Sequence, residues 1–204
     1  MGVKCFLLEP VAKIKIDLRR YIGNSECPAN GYHDNSTFLG EFDFPIPERG
    51  QYESWTDFEE SLRPPKDDTR WPVVCSCGFE FKDAGCWQMF TERLMKRSDT
   101  GELTTLRDAP GGAIWRAWWY PKYWDNQEDD CLMVKLPNGH DWCVDSRASN
   151  CTMPDDRMHR CWVRTGTPPN INVDKNGFTC AAGAGSIVSG NWHGFLRNGE
   201  LIQC

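Results

Sequence analysis

The sequence predicts an α+β fold, a single domain with a mixed N-terminal part and a β-rich C-terminal half. Three observations carry that expectation. First, CLMVKLPNGHDWCVDS sets two apolar runs around Pro137-Asn138-Gly139, the pattern of a hairpin, with Asn-Gly as a type I′ pair. Second, SWTDFEESLRPP and the spacing of Trp87, Phe90, Leu94 and Met95 match helical periodicity. Third, 204 residues with 40% hydrophobic composition suffice for one core.

Taken in order, VAKIKIDLRRYI reads two ways. Val11, Ile14, Leu18 and Ile22 form a helical stripe, while Ile14, Ile16 and Leu18 alternate as in a strand. Residues 24–50 are turn-rich, and Phe42, Phe44 and Ile46 suggest a short strand that Pro45 and Pro47 confine to a sheet edge. Ser54 is the expected N-cap of a helix that Pro64 ends. A strand from Trp71, a turn at Cys75–Gly78 and a second strand come next, then a helix through Trp87–Met95 with Gly101 beyond its end. Strands are expected at 161–164 and 171–173. There is no internal repeat, so the chain is expected to form one domain over 1–204, with 1–60 as an N-terminal appendage and 70–204 as the core.

The net charge of −6 and pI near 5.3 leave no basic stripe, which argues against a nucleic-acid partner. No apolar run approaches the ~20 residues of a membrane helix. The opening CFLL is too short for an export signal, so the expected setting is the cytoplasm, with reduced thiols. The ten tryptophans are read mostly as core. The eleven cysteines are then buried thiols, metal ligands or a nucleophile. For a metal, the candidates are Cys75 and Cys77 on one turn and Cys151, His159, Cys161 and Cys180 further on. A structural zinc bound by Cys75, Cys77, Cys151 and Cys161 would staple a loop-rich chain.

The closing stretch GSIVSGNWHGFLRNGELIQC raises a different chemistry. If Ser189-Gly190 is a two-residue tip, Ser186 lies opposite His193 and the two side chains meet as nucleophile and base. The alternative is a surface Ser/His pair on a hairpin. The glycines ending in Gly185 would bring backbone N–H groups to an oxyanion, with Asn191 nearby. In NGHDWCVDSRASNC, Asp145, or else Asp141, would orient His193, and Arg147 would bind a substrate carboxylate. A hairpin followed by a loop with surface ion pairs is the plainer reading of those residues.

These motifs also carry resemblances. Ser186-Ile187, Gly190-Asn191-Trp192 and HGFLRNG, with CSCG at Cys75–Gly78, resemble a bacterial serine-protease family encoded beside ubiquitin-like conjugation genes. In this chain Val188-Ser189 is inserted and Trp192 abuts His193, where that family carries a Cys-containing insert. FLLEP, HDWCVDSRASNCT and AGAGSI are similar to an uncharacterised family of bacteriophage and actinobacterial proteins. The first resemblance implies a serine-type peptidase or acyl hydrolase acting on a protein or peptide, including a ubiquitin-like precursor. The rival expectation is a non-enzymatic, zinc-stapled binding or structural protein.

Overall fold

The computed structural model describes residues 2–23, 26–29, 31–48, 54–117, 131–144, 146–148, 150–156, 159–182 and 185–204. Among them are thirteen strands and one helix, α1 (Thr56–Leu62), so the fold is nearly all β and the α+β expectation is corrected. The main error lies at Trp87–Met95. This segment is a strand, β4 (Cys86–Arg97), and not a helix. Its apolar spacing fits a half-buried strand as well: Met89, Leu94 and Met95 are buried, while Phe90 is exposed. Among the described residues no helix is long and apolar enough to cross a membrane.

The chain divides into two compact units, one of Met1–Pro10, Glu48–Gln51 and Met95–Cys204, the other of Val11–Pro47 and Tyr52–Leu94. The strand β2 (Phe6–Ile22) and β4 both run across that division in sequence.

In the second unit, β2 pairs antiparallel with β3 (His33–Asp43), from Lys13↔Asp43 to Ile22↔His33. The ladder slips by one residue between Ile16 and Asp17, leaving Leu39 of β3 as the extra residue of a bulge. VAKIKIDLRRYI is therefore strand. Ile14, Ile16 and Leu18 are its core residues, packed with Trp71 and Met89. β3 ends at Asp43, before Phe44 and Ile46, as the prolines require. α1 forms where expected, but its N-cap is Trp55, with no side-chain cap bond, and not Ser54. Two arginines satisfy loop carbonyls that no ladder reaches. Arg20 donates to Lys82 O and Ala84 O, both at 2.7 Å, and Arg93 to Phe44 O at 2.7 Å and Pro45 O at 2.8 Å.

In the first unit, β1 (Val3–Lys4) pairs with β13 (Glu200–Gln203). The latter pairs with β12 (Trp192–Arg197), which pairs with β11 (Ile187–Ser189). Asn198 (φ 49) and Gly199 (φ 69) make the tip between β12 and β13, the positive-φ pair of a type I′ turn. The start of β2 pairs parallel with β6 (Ala113–Arg116), followed antiparallel by β7 (Leu132–Lys135) and β8 (Asp141–Cys143). The end of β4 pairs with β5 (Leu103–Thr104), and β9 (Trp162–Thr167) with β10 (Asn170–Lys175). The β7–β8 hairpin is where the sequence puts it, with a three-residue loop and no type I′ turn. Leu136 N donates to His140 O at 2.8 Å and Gly139 N to Leu136 O at 2.9 Å. Pro137 fixes a negative φ that a type I′ turn forbids, and only Gly139 (φ 85) is left-handed. The core gathers Ile114, Leu132, Val134, Leu136, Val144, Trp162, Ile171, Val173, Ile187, Trp192, Leu196 and Leu201. Trp71, Trp115, Trp162 and Trp192 are all buried, as their reading as core requires.

Candidate metal centres

Six cysteines and two histidines gather into two Cys3His sets, each with its ligand atoms within 4.8 Å of one another: Cys27, His33, Cys75 and Cys77, and Cys151, His159, Cys161 and Cys180. Both are groups that could hold a metal ion. The expected Cys75/Cys77/Cys151/Cys161 site is thus corrected: each pair completes its set with a His and a Cys from its own unit.

In the first set, Cys27 follows β2, His33 opens β3, and Cys75 and Cys77 sit on a turn closed by Cys75 N to Phe79 O at 2.8 Å and Gly78 N to Cys75 O at 2.9 Å. Gly78 (φ 90) supplies the positive φ of that turn. The His33 ring stacks on Phe79 at 4.0 Å, which fixes its plane. The Cys27 and Cys75 sulfurs are 3.9 Å apart, and Cys77 Sγ is 3.3 Å from His33 Nδ1. Cys27, His33 and Cys75 are buried and Cys77 is exposed. The Cys77 backbone N–H, followed by His33, holds the Cys75 thiol down at about 6 against the opposing effect of burial.

In the second set, Cys161 precedes β9 and Cys180 follows the turn after β10, so the hairpin's open end presents both. Asn176 N donates to Cys161 O at 2.8 Å and Asn176 Nδ2 to Arg160 O at 2.9 Å, pinning that end. Cys161 Sγ is 3.8 Å from Cys180 Sγ and 3.6 Å from His159 Nε2. The N–H of Met153 donates to Cys151 Sγ and that of Ala182 to Cys180 Sγ, each at 3.4 Å. The Ala182 N–H is the leading cause of the lowered Cys180 thiol, whereas burial pushes Cys161 up to about 11. A backbone N–H two residues after a cysteine thus stabilises a thiolate in both sets, the ionisation a metal ligand needs.

Ionised thiols around a tetrahedral zinc, with Zn–S about 2.3 Å and Zn–N about 2.0 Å, lie ~3.8 Å from each other and ~3.5 Å from the ligating nitrogen. The separations of 3.9 Å, 3.8 Å and 3.6 Å fit that figure, and 3.3 Å for Cys77–His33 is slightly short of it.

The residues expected to form a hydrolase site are placed differently. β11 and β12 pair Ile187↔Gly194, Val188↔His193 and Ser189↔Trp192, so the tip is Gly190-Asn191 and not Ser189-Gly190. Gly190 (φ 57) takes the first tip position, which a type II′ turn reserves for glycine. His193 is exposed opposite Val188, and Ser186 precedes the ladder. Ile187 and Trp192 do take the buried face. The only serine–histidine hydrogen bond among the described residues joins Ser189 Oγ to His140 Nδ1 at 3.2 Å, tying two hairpin tips together. Asn138 reinforces the tie by donating to Ser189 O at 2.7 Å and to Asn191 Oδ1 at 3.2 Å. Asp145 lies outside the described residues. Asp141 pairs with Lys135 Nζ at 2.7 Å. Gly185 is pressed against the Asp174 carboxylate, where a Cβ would collide. Arg147 donates to His159 O at 3.2 Å, Met153 O at 3.1 Å, Pro154 O at 2.7 Å and Asp156 O, so its guanidinium organises the loop that delivers His159. Arg147→Ala is expected to cost about 1–3 kcal/mol through the carbonyls it abandons; a urea midpoint equal to that of the parent would contradict this role.

No protein-family model, curated protein or solved structure matches this chain.

Proposed function

We propose that the protein is a two-zinc β protein whose metal centres are structural and whose role is non-enzymatic binding or scaffolding in a reducing compartment such as the cytoplasm. The observation that carries this is the pair of Cys3His sets, with ligand separations at or slightly short of the tetrahedral figure. Three thiolates and an imidazole saturate a tetrahedral zinc, leaving no position for water or substrate, so neither centre supports Lewis-acid chemistry. Thiolate ligands select zinc over the hard cations.

Elemental analysis of protein purified without chelator should give two zinc per chain, and one in Cys75→Ser or Cys161→Ser. Cobalt substitution supplies a second readout on the parent chain, through visible absorption typical of tetrahedral thiolate sites. Metal-free, folded parent protein would overturn the proposal. The serine-peptidase reading is not adopted, because no contact between Ser186 and His193 supports it. A fluorophosphonate probe is accordingly expected to leave Ser186 unlabelled, and a labelled Ser186 peptide would restore that reading.

A further inference from the structure

The two metal sets take six of the eleven cysteines and leave Cys5, Cys86, Cys131, Cys143 and Cys204. Two of these five, Cys131 and Cys143, have their sulfurs 3.0 Å apart. Among the described residues, neither belongs to a metal set.

The backbone holds both residues in place. Cys131 stands just before β7, its carbonyl accepting from Ala117 N at 2.8 Å. Cys143 ends β8 opposite Met133, and the next residue, Val144, donates to Leu132 O at 2.8 Å. The two cysteines are therefore diagonal neighbours on one face at the open end of the β7–β8 hairpin, their sulfurs about 1 Å beyond bonding distance. They differ in access: Cys131 is buried and Cys143 half-buried.

We infer that Cys131 and Cys143 form a redox site, a dithiol that closes to an intramolecular disulfide by exchange with a low-molecular-weight disulfide of the glutathione class. The half-buried Cys143 thiolate attacks the small disulfide, forming a mixed disulfide and releasing one small thiolate. Cys131, having lost its proton to solvent, then attacks Cys143 Sγ and expels the second small thiolate. Two protein thiols are oxidised and one small disulfide is reduced to two thiols. The product pins β8, a three-residue strand whose pairing partner is β7, to that neighbour. This inference does not depend on the metal reading.

The test uses full-length protein as purified, in buffers of graded reduced and oxidised glutathione, quenched in acid, alkylated and digested with trypsin. The peptides 123–135 and 136–147 should appear joined, about 2 Da lighter than their sum because two hydrogens are lost. Metal content should stay unchanged, and the melting temperature should rise by a few degrees. Cys131→Ser should stop at the mixed disulfide on Cys143. Recovery of both peptides alkylated even in fully oxidised glutathione would overturn the inference, as would parent protein that stops at the mixed disulfide. The peptide readout on the parent chain decides the matter even if the variant fails to fold.

Discussion

Stripping the two proposed metal ions from the protein is expected to unfold it, with the cooperative melt lost or lowered by more than about 10 °C. The reason lies in what surrounds the first set. The apolar cluster there consists of Cys27, Cys75 and Phe81 with Ile22 against it, so two of its three buried members are candidate ligands. Without metal, those thiols lose the bonds that hold three separate segments together. The second set borders the main core of its unit, where Cys161 is buried and Cys151 and Cys180 pack alongside. Structural zinc binding is worth about 10–16 kcal/mol in isolated zinc-finger peptides, comparable with the whole stability of a domain. Calorimetry before chelation, after it, and after zinc is restored checks this; an unchanged melt with the metal gone would refute the stapling role.

Gly112→Ala is expected to be nearly as damaging locally. Gly112 has φ of 95, and a Cβ there would run into the Lys4 carbonyl. The backbone cannot move aside, because Gly112 N donates to Lys135 O at 2.8 Å while Gly112 O accepts from Phe6 N at 3.1 Å. Backbone strain of about 1–3 kcal/mol and overpacking of about 1–3 kcal/mol together predict a loss of about 2–6 kcal/mol. Gly139→Ala is the control, with φ of 85 but nothing within 4 Å of the new Cβ, so only the strain remains. Equal shifts in urea midpoint for the two variants would show that the collision contributes nothing.

The β7–β8 hairpin was legible from the sequence because its signal is local. Two apolar runs around 137–139 become β7–β8, and the strand candidates 161–164 and 171–173 become β9 and β10, whose pairing was not legible. The segment 87–95 was not legible, since a run with apolar residues at positions 87, 90, 94 and 95 satisfies helix and strand alike until its partners are known. Hairpin register depends on which residue takes the first tip position. Gly190 decides that through its φ: moving the tip by one residue moves the partner of His193 by two, from Ser186 to Val188, and leaves Ile187 and Trp192 on the buried face. Every ligand of the second set stood among the sequence candidates, because Cys151, His159, Cys161 and Cys180 fall within thirty residues. Cys27 and His33 did not stand out. They lie far in sequence from Cys75, and only tertiary contacts, such as Asn35 Nδ2 donating to Val74 O at 2.7 Å, bring that stretch of chain to them. A glycine turn such as Cys27-Pro28-Ala29-Asn30-Gly31, with a cysteine at its head and a histidine just past its end, is the signal that was there to be read.

The pairing of β1 with β13 sets Val3 against Leu201. On the ribosome β13 is made long after β1, so the sheet they share stays open until β13 has emerged. Until residue 201 has emerged, Val3 and Lys4 wait without their ladder, and the apolar edges of β11 and β12 wait with them. Contacts this distant along the chain also slow refolding from denaturant, because the loop must close before the pairing gains anything. A nascent chain stalled short of β13 is therefore the species most exposed to chaperones and to aggregation.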